Sequence, residues 1–148
     1  MKLPNKKYNI IYADPPWTFK TWSNKGKGKS AEQYYDCMTI DAIQTLPVNE
    51  IADENCILFK KADSFFWGLG YWTRANNEIC LLATKGKPKR VGKGVHQVVM
   101  DKIREHSRKP DCVRDRIIEL CGNLPRIELF ARQKINGWDV WGNEVNSI

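Results

Sequence analysis

The chain has 148 residues, 42% of them hydrophobic, which suits one compact domain with an ordinary core and leaves no room for two. Its formal net charge of +7 favours polyanionic partners, nucleic acid first and acidic membrane surfaces second. The five cysteines form no CxxC pair and only two histidines accompany them, so a disulfide framework and a metal site are not expected. Reduced thiols and an N-terminal apolar run too short for a signal peptide or a membrane span predict a cytoplasmic protein without membrane contact.

The predicted elements alternate between strands and helices. Apolar runs predict strands at residues 8–13, 55–59, 78–84, 95–100 and 126–132, and residues 137–145 predict a turn with a short closing strand. Thr39 is a suitable cap for a helix at 41–46, and residues 109–122 predict a second helix that Gly122 ends. This alternation indicates an α/β sheet with a crevice at the ends of its strands.

The first predicted strand ends in Asp14-Pro15-Pro16-Trp17. Ligands of open α/β sheets bind outside the carboxyl ends of strands, which is where this tetrapeptide lies. The prolines make a stiff turn whose carbonyls can accept, Asp14 adds a carboxylate, and Trp17 adds a stacking face. Two acceptors beside an aromatic plate suit a planar base held by its exocyclic amino group, and they favour attack of that nitrogen on an electrophilic methyl group. The alternative is an Asx-type turn, with Trp17 in the core.

Four motifs follow one another along the chain: ADPPW at 13–17, HSRKPD at 106–111, IELFAR at 127–132 and WGNE at 141–144. In this order, and with the segment at 66–90 between them, they resemble the adenine-N6 methyltransferases related to the eukaryotic mRNA adenosine methyltransferase, a group with short bacterial and phage members. The resemblance covers residues 8–145. It implies a Rossmann-like methyltransferase sheet with helices on both faces, in a single domain over residues 1–148, and S-adenosylmethionine (SAM) as cofactor.

The resemblance also implies roles for individual residues. The target adenine would be held by Asp14, Pro15, Pro16 and Trp17. The residues that would bind SAM are Asp14, Lys109, Leu129, Phe130, Arg132, Asn143 and Glu144. Among them, Lys109 would contact the methionyl carboxylate, the polar residues of the last two motifs the ribose, and the apolar pair the adenine ring. From the residues alone, a solvated helix-start charge for Lys109 and a surface ion pair for Arg132 stay open.

Two basic loops are expected on the crevice side, where they would contact nucleic-acid phosphates without reading sequence. Their residues are Lys25, Lys27, Lys29, Lys87, Lys89 and Arg90. Any one of these lysines alone would be interpreted as a solvated loop residue, and the aromatic residues near Phe65 and Trp67 either stack on a displaced base or belong to the core. In duplex DNA the target adenine would have to be flipped out of the stack.

The chain departs from the family pattern after Phe59. There the predicted strand runs directly into KKADSFFWG, whereas the family continues into a helix and a further strand. The junction can close, because crossover units begin and end at strand carboxyl ends. However, the loss of a parallel strand with its covering helix would expose apolar surface.

The main hypothesis is a SAM-dependent methyltransferase that acts on the N6 amino group of adenine in DNA, with RNA as the alternative substrate. A competing hypothesis is a catalytically impaired nucleic-acid-binding homologue, or one half of a heterodimer. A third is a chain that does not fold alone. Association with a second copy of the chain also stays open.

Overall fold

The computed structural model describes residues 2–18, 35–64, 78–102 and 109–145, with the backbone alone described at 61–64. Its strands are β1 (Tyr8–Ala13), β2 (Ala52–Ser64), β3 (Glu78–Lys85), β4 (Arg126–Leu129) and β5 (Asp139–Trp141). Its helices are α1 (Ile40–Gln44), α2 (Val48–Ile51) and α3 (Cys112–Cys121). Strands and helices alternate through most of the described chain, and the predicted α/β class is confirmed.

The described strands form one sheet in the order β3-β2-β1-β4-β5. Strand β1 pairs in parallel with β2 and β4, and β5 pairs in parallel with β4. Strand β3 is antiparallel to β2, which differs from the parallel pairing of the other strands. The carboxyl ends of the four parallel strands therefore lie at one edge of the sheet, where an α/β fold binds its ligands.

The core lies on both faces of β1. On one face, Ile11 and Ala13 pack in a cluster with Ile51 at the end of α2. On the other face, Ile10 and Tyr12 pack in a cluster that includes residues of α3. A strand that is buried on both faces gives a continuous apolar run, as its sequence YNIIYA indicates. The helices thus cover opposite faces of the sheet, as the Rossmann-like fold requires.

The helix boundaries follow the capping residues that the sequence suggests. The Thr39 hydroxyl accepts the Ala42 amide at 3.2 Å, and the predicted helix at 41–46 is observed as α1, one residue earlier at its start. Helix α3 ends at Gly122, whose φ of 83° is a conformation that suits glycine. Ile117 and Cys121, four residues apart on this helix, are buried and form its apolar face.

Three of the predicted strands need correction. Strand β2 begins before Asn55 and continues past Phe59. Strand β4 ends at Leu129 because Phe130 adopts a φ of 62°, which turns the chain out of the sheet. The strand predicted at 95–100 is wrong: this segment is irregular, and the carbonyls of His96 and Val98 accept from Arg116 Nη1 instead of a neighbouring strand.

Strand β3 is the least covered element of the described fold. All eight of its residues are exposed, including Ile79, Leu81 and Leu82. This agrees with the expectation that the departure after Phe59 leaves apolar surface uncovered. Within the described parts of the chain, no helix is long and apolar enough to cross a bilayer.

Candidate active site

The predicted site residues follow neighbouring strands at the carboxyl edge of the sheet. Ala13 pairs with Leu129, and Leu129 pairs with Trp141. The three motifs ADPPW, IELFAR and WGNE therefore leave the sheet side by side, although Asp14 and Trp141 are 127 positions apart in the sequence. Parallel pairing alone brings these motifs together, because it aligns the ends of the strands.

The carboxylate of Asp14 forms an ion pair with Lys109, whose Nζ lies 2.7 Å from Asp14 Oδ2. The Lys109 side chain is 11% exposed and that of Asp14 is 25% exposed, so the pair lies in a partly sheltered place. Lys109 immediately precedes Pro110 and the first turn of α3. The sequence predicted both residues as parts of the site but not that they touch each other. The interpretation of Lys109 as a fully solvated charge does not fit this burial.

The turn after Asp14 is fixed by backbone bonds to the segment before α1. Met38 N donates to the Pro16 carbonyl at 2.7 Å, and Thr18 N donates to the Met38 carbonyl at 3.1 Å. The Pro16 carbonyl is therefore used inside the fold. Of the two proline carbonyls in the motif, that of Pro15 is the candidate second acceptor for a bound base.

The indole of Trp17 is half-buried, and Lys60 Nζ lies 4.4 Å from its ring centroid. A cation over an aromatic face is an attractive contact. Lys60 pairs with Ala13 across β2 and β1, which places it at the same edge as the DPPW motif. The alternative of Trp17 as a core residue does not fit its exposure. Lys60 was not predicted as a site residue, because only the strand register reveals its place.

The ends of β4 and β5 are held against each other by their backbones. Ala131 N donates to the Trp141 carbonyl at 3.0 Å. A Cβ atom on Gly142 would lie 2.5 Å from the Ala131 carbonyl oxygen, so only glycine allows this approach. The rings of Phe130 and Trp141 meet edge to face at 5.3 Å. The glycine of WGNE is thus explained by the close approach of IELFAR.

The predicted SAM residues of these two motifs differ in what they can offer a ligand. Leu129 is 1% exposed and packs in the core, whereas Phe130 is half-buried at the edge. Arg132 Nε lies 2.9 Å from Glu144 Oε1, with both side chains nearly half exposed. Arg132 also lies over the Tyr35 ring at 5.9 Å. Asn143 is exposed in the turn after β5. The surface ion pair considered for Arg132 is present, and its partner is another predicted site residue.

A buried ion pair lies between α3 and β4. Arg114 donates from Nε and Nη2 to the two carboxylate oxygens of Glu128 at 2.7 and 2.8 Å. Burial disfavours the charged guanidinium, but the hydrogen bonds and charge of Glu128 outweigh it and raise the pKa of Arg114. Burial, followed by the charges of Asp14 and Glu128, raises the pKa of Tyr12, so this phenol stays protonated. Glu128 lies inside the apolar strand β4, and a buried acid of this kind indicates a buried basic partner.

The second basic loop lies away from the crevice. Lys87 N donates to the Asn55 side-chain oxygen at 2.8 Å, near the start of β2. The antiparallel direction of β3 carries the chain to the edge opposite Asp14, so the expected placement of Lys87, Lys89 and Arg90 on the crevice side is wrong. Contact of these residues with nucleic acid stays a prediction. The first basic loop with Lys25, Lys27 and Lys29, the aromatic residues near Phe65, and His106 lie outside the described residues.

ADPPW, IELFAR and WGNE lie at one edge of the sheet, and Lys109 of HSRKPD contacts Asp14 there. The MT-A70 family matches this sequence at residues 8–67 and 64–144. The chain belongs to the MT-A70 family. This match confirms the resemblance drawn from the motifs and the class of enzyme, a methyltransferase.

Individual MT-A70 relatives differ in how much of their length this chain covers. The type II methyltransferase M.MunI of a Mycoplasma species is 32% identical over 97% of this chain and 80% of its own length. The N(6)-adenosine-methyltransferase MT-A70-like protein of Arabidopsis thaliana is 26% identical over 95% of this chain and 24% of its own length. The human N(6)-adenosine-methyltransferase catalytic subunit METTL3 is 24% identical over 96% of this chain and 29% of its own length. The chain thus spans most of the first relative and under a third of the other two.

The MT-A70 match also locates the internal departure. Its two parts meet at residues 64–67, a few residues beyond Phe59 and at the end of β2. The alignment with M.MunI extends over 187 positions, at least 39 more than the 148 residues of this chain. M.MunI therefore contains residues that have no counterpart here. ADPPW precedes this junction and the other three motifs follow it, so all four motifs are present in the chain.

Proposed function

We propose that the protein transfers a methyl group from SAM to the N6 amino group of adenine in DNA. The observation that carries this proposal is the contact between Asp14 of DPPW and Lys109 of HSRKPD at 2.7 Å. One motif is expected to hold the base and the other the cofactor, and the acceptor and the donor of methyl must meet. A direct contact between the two motifs supports one shared site.

The side chains at this edge fit the chemistry of SAM. A lysine ammonium suits a carboxylate, a glutamate suits ribose hydroxyls, and an aromatic ring suits an adenine base. Lys109, Glu144 and Phe130 provide these three groups at the carboxyl edge of the sheet. An ammonium carries three donors, so Lys109 can hold Asp14 and the methionyl carboxylate together. When bound, SAM supplies an electrophilic methyl group carried on a sulfonium.

The DPPW residues act on the target base. Asp14 and the Pro15 carbonyl accept the two hydrogens of the exocyclic amine, and Trp17 stacks on the ring. Acceptors placed out of the ring plane favour a tetrahedral nitrogen, whose lone pair is then available for attack. The amine proton becomes acidic once the nitrogen is alkylated, so no strong general base is needed. Most of the rate enhancement comes from positioning on a stiff turn.

The preference for DNA rests on the pattern of similarity. M.MunI is matched over 80% of its length, whereas the relatives named for adenosine, a ribonucleoside, are matched over less than a third. The net charge of +7 supports a polyanionic substrate of either kind. RNA is therefore the alternative substrate that the same assay must include.

Methyl transfer from radiolabelled SAM to duplex DNA, single-stranded DNA and RNA tests this proposal. We expect DNA to be labelled and Asp14→Asn to lower the rate by at least about 100-fold, because the amide loses an acceptor charge at the reacting amine. Glu119→Gln, an exposed change on α3, is the matched control and should keep the wild-type rate. Equal rates for Asp14→Asn and the wild type would contradict the assigned role.

A second candidate is an impaired homologue that binds nucleic acid without methylating it. The observation that favours it is the set of at least 39 positions that M.MunI has and this 148-residue chain lacks. This candidate predicts salt-sensitive retention of DNA with no label transferred by the wild type. Calorimetric titration with SAM separates the two further, because only the enzyme must bind the cofactor.

A further inference from the structure

The buried ion pair between Arg114 and Glu128 joins helix α3 to strand β4. Arg114 is 7% exposed and Glu128 is 6% exposed, and hydrogen bonds of 2.7 and 2.8 Å link the guanidinium to the carboxylate. A buried pair of this kind often adds no more stability than well-packed apolar residues of the same volume. A two-point contact between planar groups does, however, fix both the distance and the direction between the elements that carry them. The pair therefore sets where α3 lies along β4.

The position of this pair along the sheet is close to the candidate site. Glu128 pairs with Tyr12 of β1, and the next residues, Leu129 and Ala13, pair at the carboxyl edge. Asp14 thus follows two positions after the residue that pairs with Glu128, and two residues of a strand extend about 7 Å. The carboxylate that anchors α3 and the carboxylate of DPPW are therefore held in register by one pair of strands.

The same arginine holds the first turn of α3, which follows Lys109 directly. Arg114 N donates to the Asp111 carbonyl at 3.1 Å, and Arg114 Nη1 lies 3.4 Å from Asp111 Oδ1. Pro110 has a fixed φ and restricts the residue before it, so the backbone of Lys109 has little freedom relative to this turn. Glu128, Arg114 and the first turn of α3 thus form a continuous connection from β4 to Lys109.

We propose that Arg114 and Glu128 are a positioning pair, which holds Lys109 Nζ against the carboxylate of Asp14. A lysine ammonium on its flexible stem has no preferred direction of its own, so its backbone must be placed by other residues. The contact of 2.7 Å between Lys109 and Asp14 is the result of this placement. Its consequence for the cofactor rests on the proposed function, in which a correctly placed Lys109 binds the methionyl carboxylate of SAM. The placement itself does not depend on that function.

Chemical labelling of lysines in the full chain tests the placement without SAM. Reaction with acetic anhydride, followed by mass spectrometry, gives the rate of Lys109 relative to Lys6, whose side chain is 57% exposed. The double variant Arg114→Met with Glu128→Met should stay folded, because apolar residues can replace a buried ion pair. Its Lys109 should nevertheless react at least about tenfold faster, since the bond between charged groups at Lys109 is weakened.

A matched control separates this role from stability alone. Ile127→Ala changes a fully buried residue on the same strand as Glu128. It should lower the free energy of unfolding without faster labelling of Lys109, because the Arg114–Glu128 pair is intact. An unchanged Lys109 rate in the double variant, or an equal rise in Ile127→Ala, would overturn the proposal.

A second variant keeps the test decisive if the double variant does not fold. Arg114→Lys keeps a positive charge for Glu128 but lacks the planar fork that makes the two-point contact. Lys109 should again be labelled faster, by at least about threefold, because one hydrogen bond of the pair is lost. A wild-type Lys109 rate in the folded Arg114→Lys protein would contradict the proposal.

Calorimetric titration with SAM tests the consequence for the cofactor. The dissociation constant should rise at least about tenfold in the double variant and keep its wild-type value in Ile127→Ala. A wild-type chain that binds no SAM but shows the expected labelling would remove the proposed function and support the positioning of Lys109. Faster labelling of Lys109 in the double variant, with unchanged affinity for SAM, would overturn the link between the pair and the cofactor.

Discussion

The two sides of β1 differ in how completely they are packed. On the β4–β5 side, Ile127, Leu129 and Val140 are at most 2% exposed. On the β2–β3 side, every residue of β3 is exposed. The motifs IELFAR and WGNE come from the packed side, and the departure from the family falls on the other side. The departure from the family thus lies on the less packed side of the described sheet. Lys60 on β2 belongs to the less packed side and contacts Trp17 of the site.

The largest effect is expected at the buried ion pair on the packed side. Glu128→Gln leaves the buried Arg114 guanidinium with only its longer contact to the Asp111 carboxylate at 3.4 Å, which should lower the free energy of unfolding by about 3–5 kcal/mol. Urea denaturation followed by circular dichroism measures it. Lys6→Met, which removes an exposed partner of Asp139, is the control and should cost no more than about 1 kcal/mol. Similar costs for the two variants would mean that the Arg114–Glu128 pair is not sheltered.

A matched pair of isoleucines tests the comparison directly. Ile127→Ala on β4 removes a fully buried side chain and should cost about 2–5 kcal/mol, whereas Ile79→Ala on β3 should cost less than about 1 kcal/mol. Both free energies come from urea denaturation in dilute protein, so that association does not contribute. If Ile79→Ala costs as much as Ile127→Ala, β3 is covered in solution and the contrast between the two sides is incorrect.

The contact between β4 and β5 should tolerate little added volume. Gly142→Ala places a methyl group 2.5 Å from the Ala131 carbonyl oxygen. The strand ends must separate, at a cost of about 1–3 kcal/mol and with weaker binding of SAM. Gly94→Ala, with no heavy atom within 4 Å of the new methyl group, is the control. Thermal melts and calorimetric SAM titrations measure the two effects, and an unchanged Gly142→Ala protein would contradict the close approach.

The smallest effect is a pH dependence at the start of β5. Burial raises the pKa of Asp139, but hydrogen bonds from Lys6 and Tyr8 and the Lys6 charge outweigh it and hold this pKa below 3.8. The folded state therefore favours the carboxylate. Its contribution to stability is present above the unfolded pKa and is lost as the pH falls through the lower folded pKa.

Asp139→Asn should reduce the loss of stability between about pH 5 and pH 2 by about 1 kcal/mol or less. Urea denaturation across that pH range measures the slope. The exposed Glu119→Gln variant should keep the wild-type slope. If Asp139→Asn also keeps it, the bonds from Lys6 and Tyr8 do not persist in solution.

The sequence predicted the local features of the fold better than its long-range pairings. The buried run of β1, the Thr39 cap and the Gly122 helix end depend on neighbouring residues, and all three are confirmed. The direction of β3 depends on which strand it meets, and no local pattern records that. Residues 95–100 are rich in valine, as a strand would be, but the carbonyls of His96 and Val98 bond to Arg116.

The candidate site shows the same division. Its proposed members follow from the resemblance of the motifs to a family, because each motif is a short local signal. The contact between Asp14 and Lys109 was not predicted, because it requires the start of α3 to lie next to the carboxyl end of β1. Glu128 was not predicted: an acid within an apolar strand indicates a buried partner, but that partner, Arg114, lies on another element. Such pairs become visible only when the register of strands and helices is known.

The antiparallel direction of β3 also sets a minimum footprint on nucleic acid. Lys87 is held at Asn55, whereas the DPPW edge lies level with Lys60, five residues further along β2. Five residues of strand extend about 16 Å. A nucleic acid in contact with both Lys87 and Asp14 must cross that distance, which is about five steps along one strand of a duplex. A duplex shorter than about five base pairs does not span the distance between these two backbone positions.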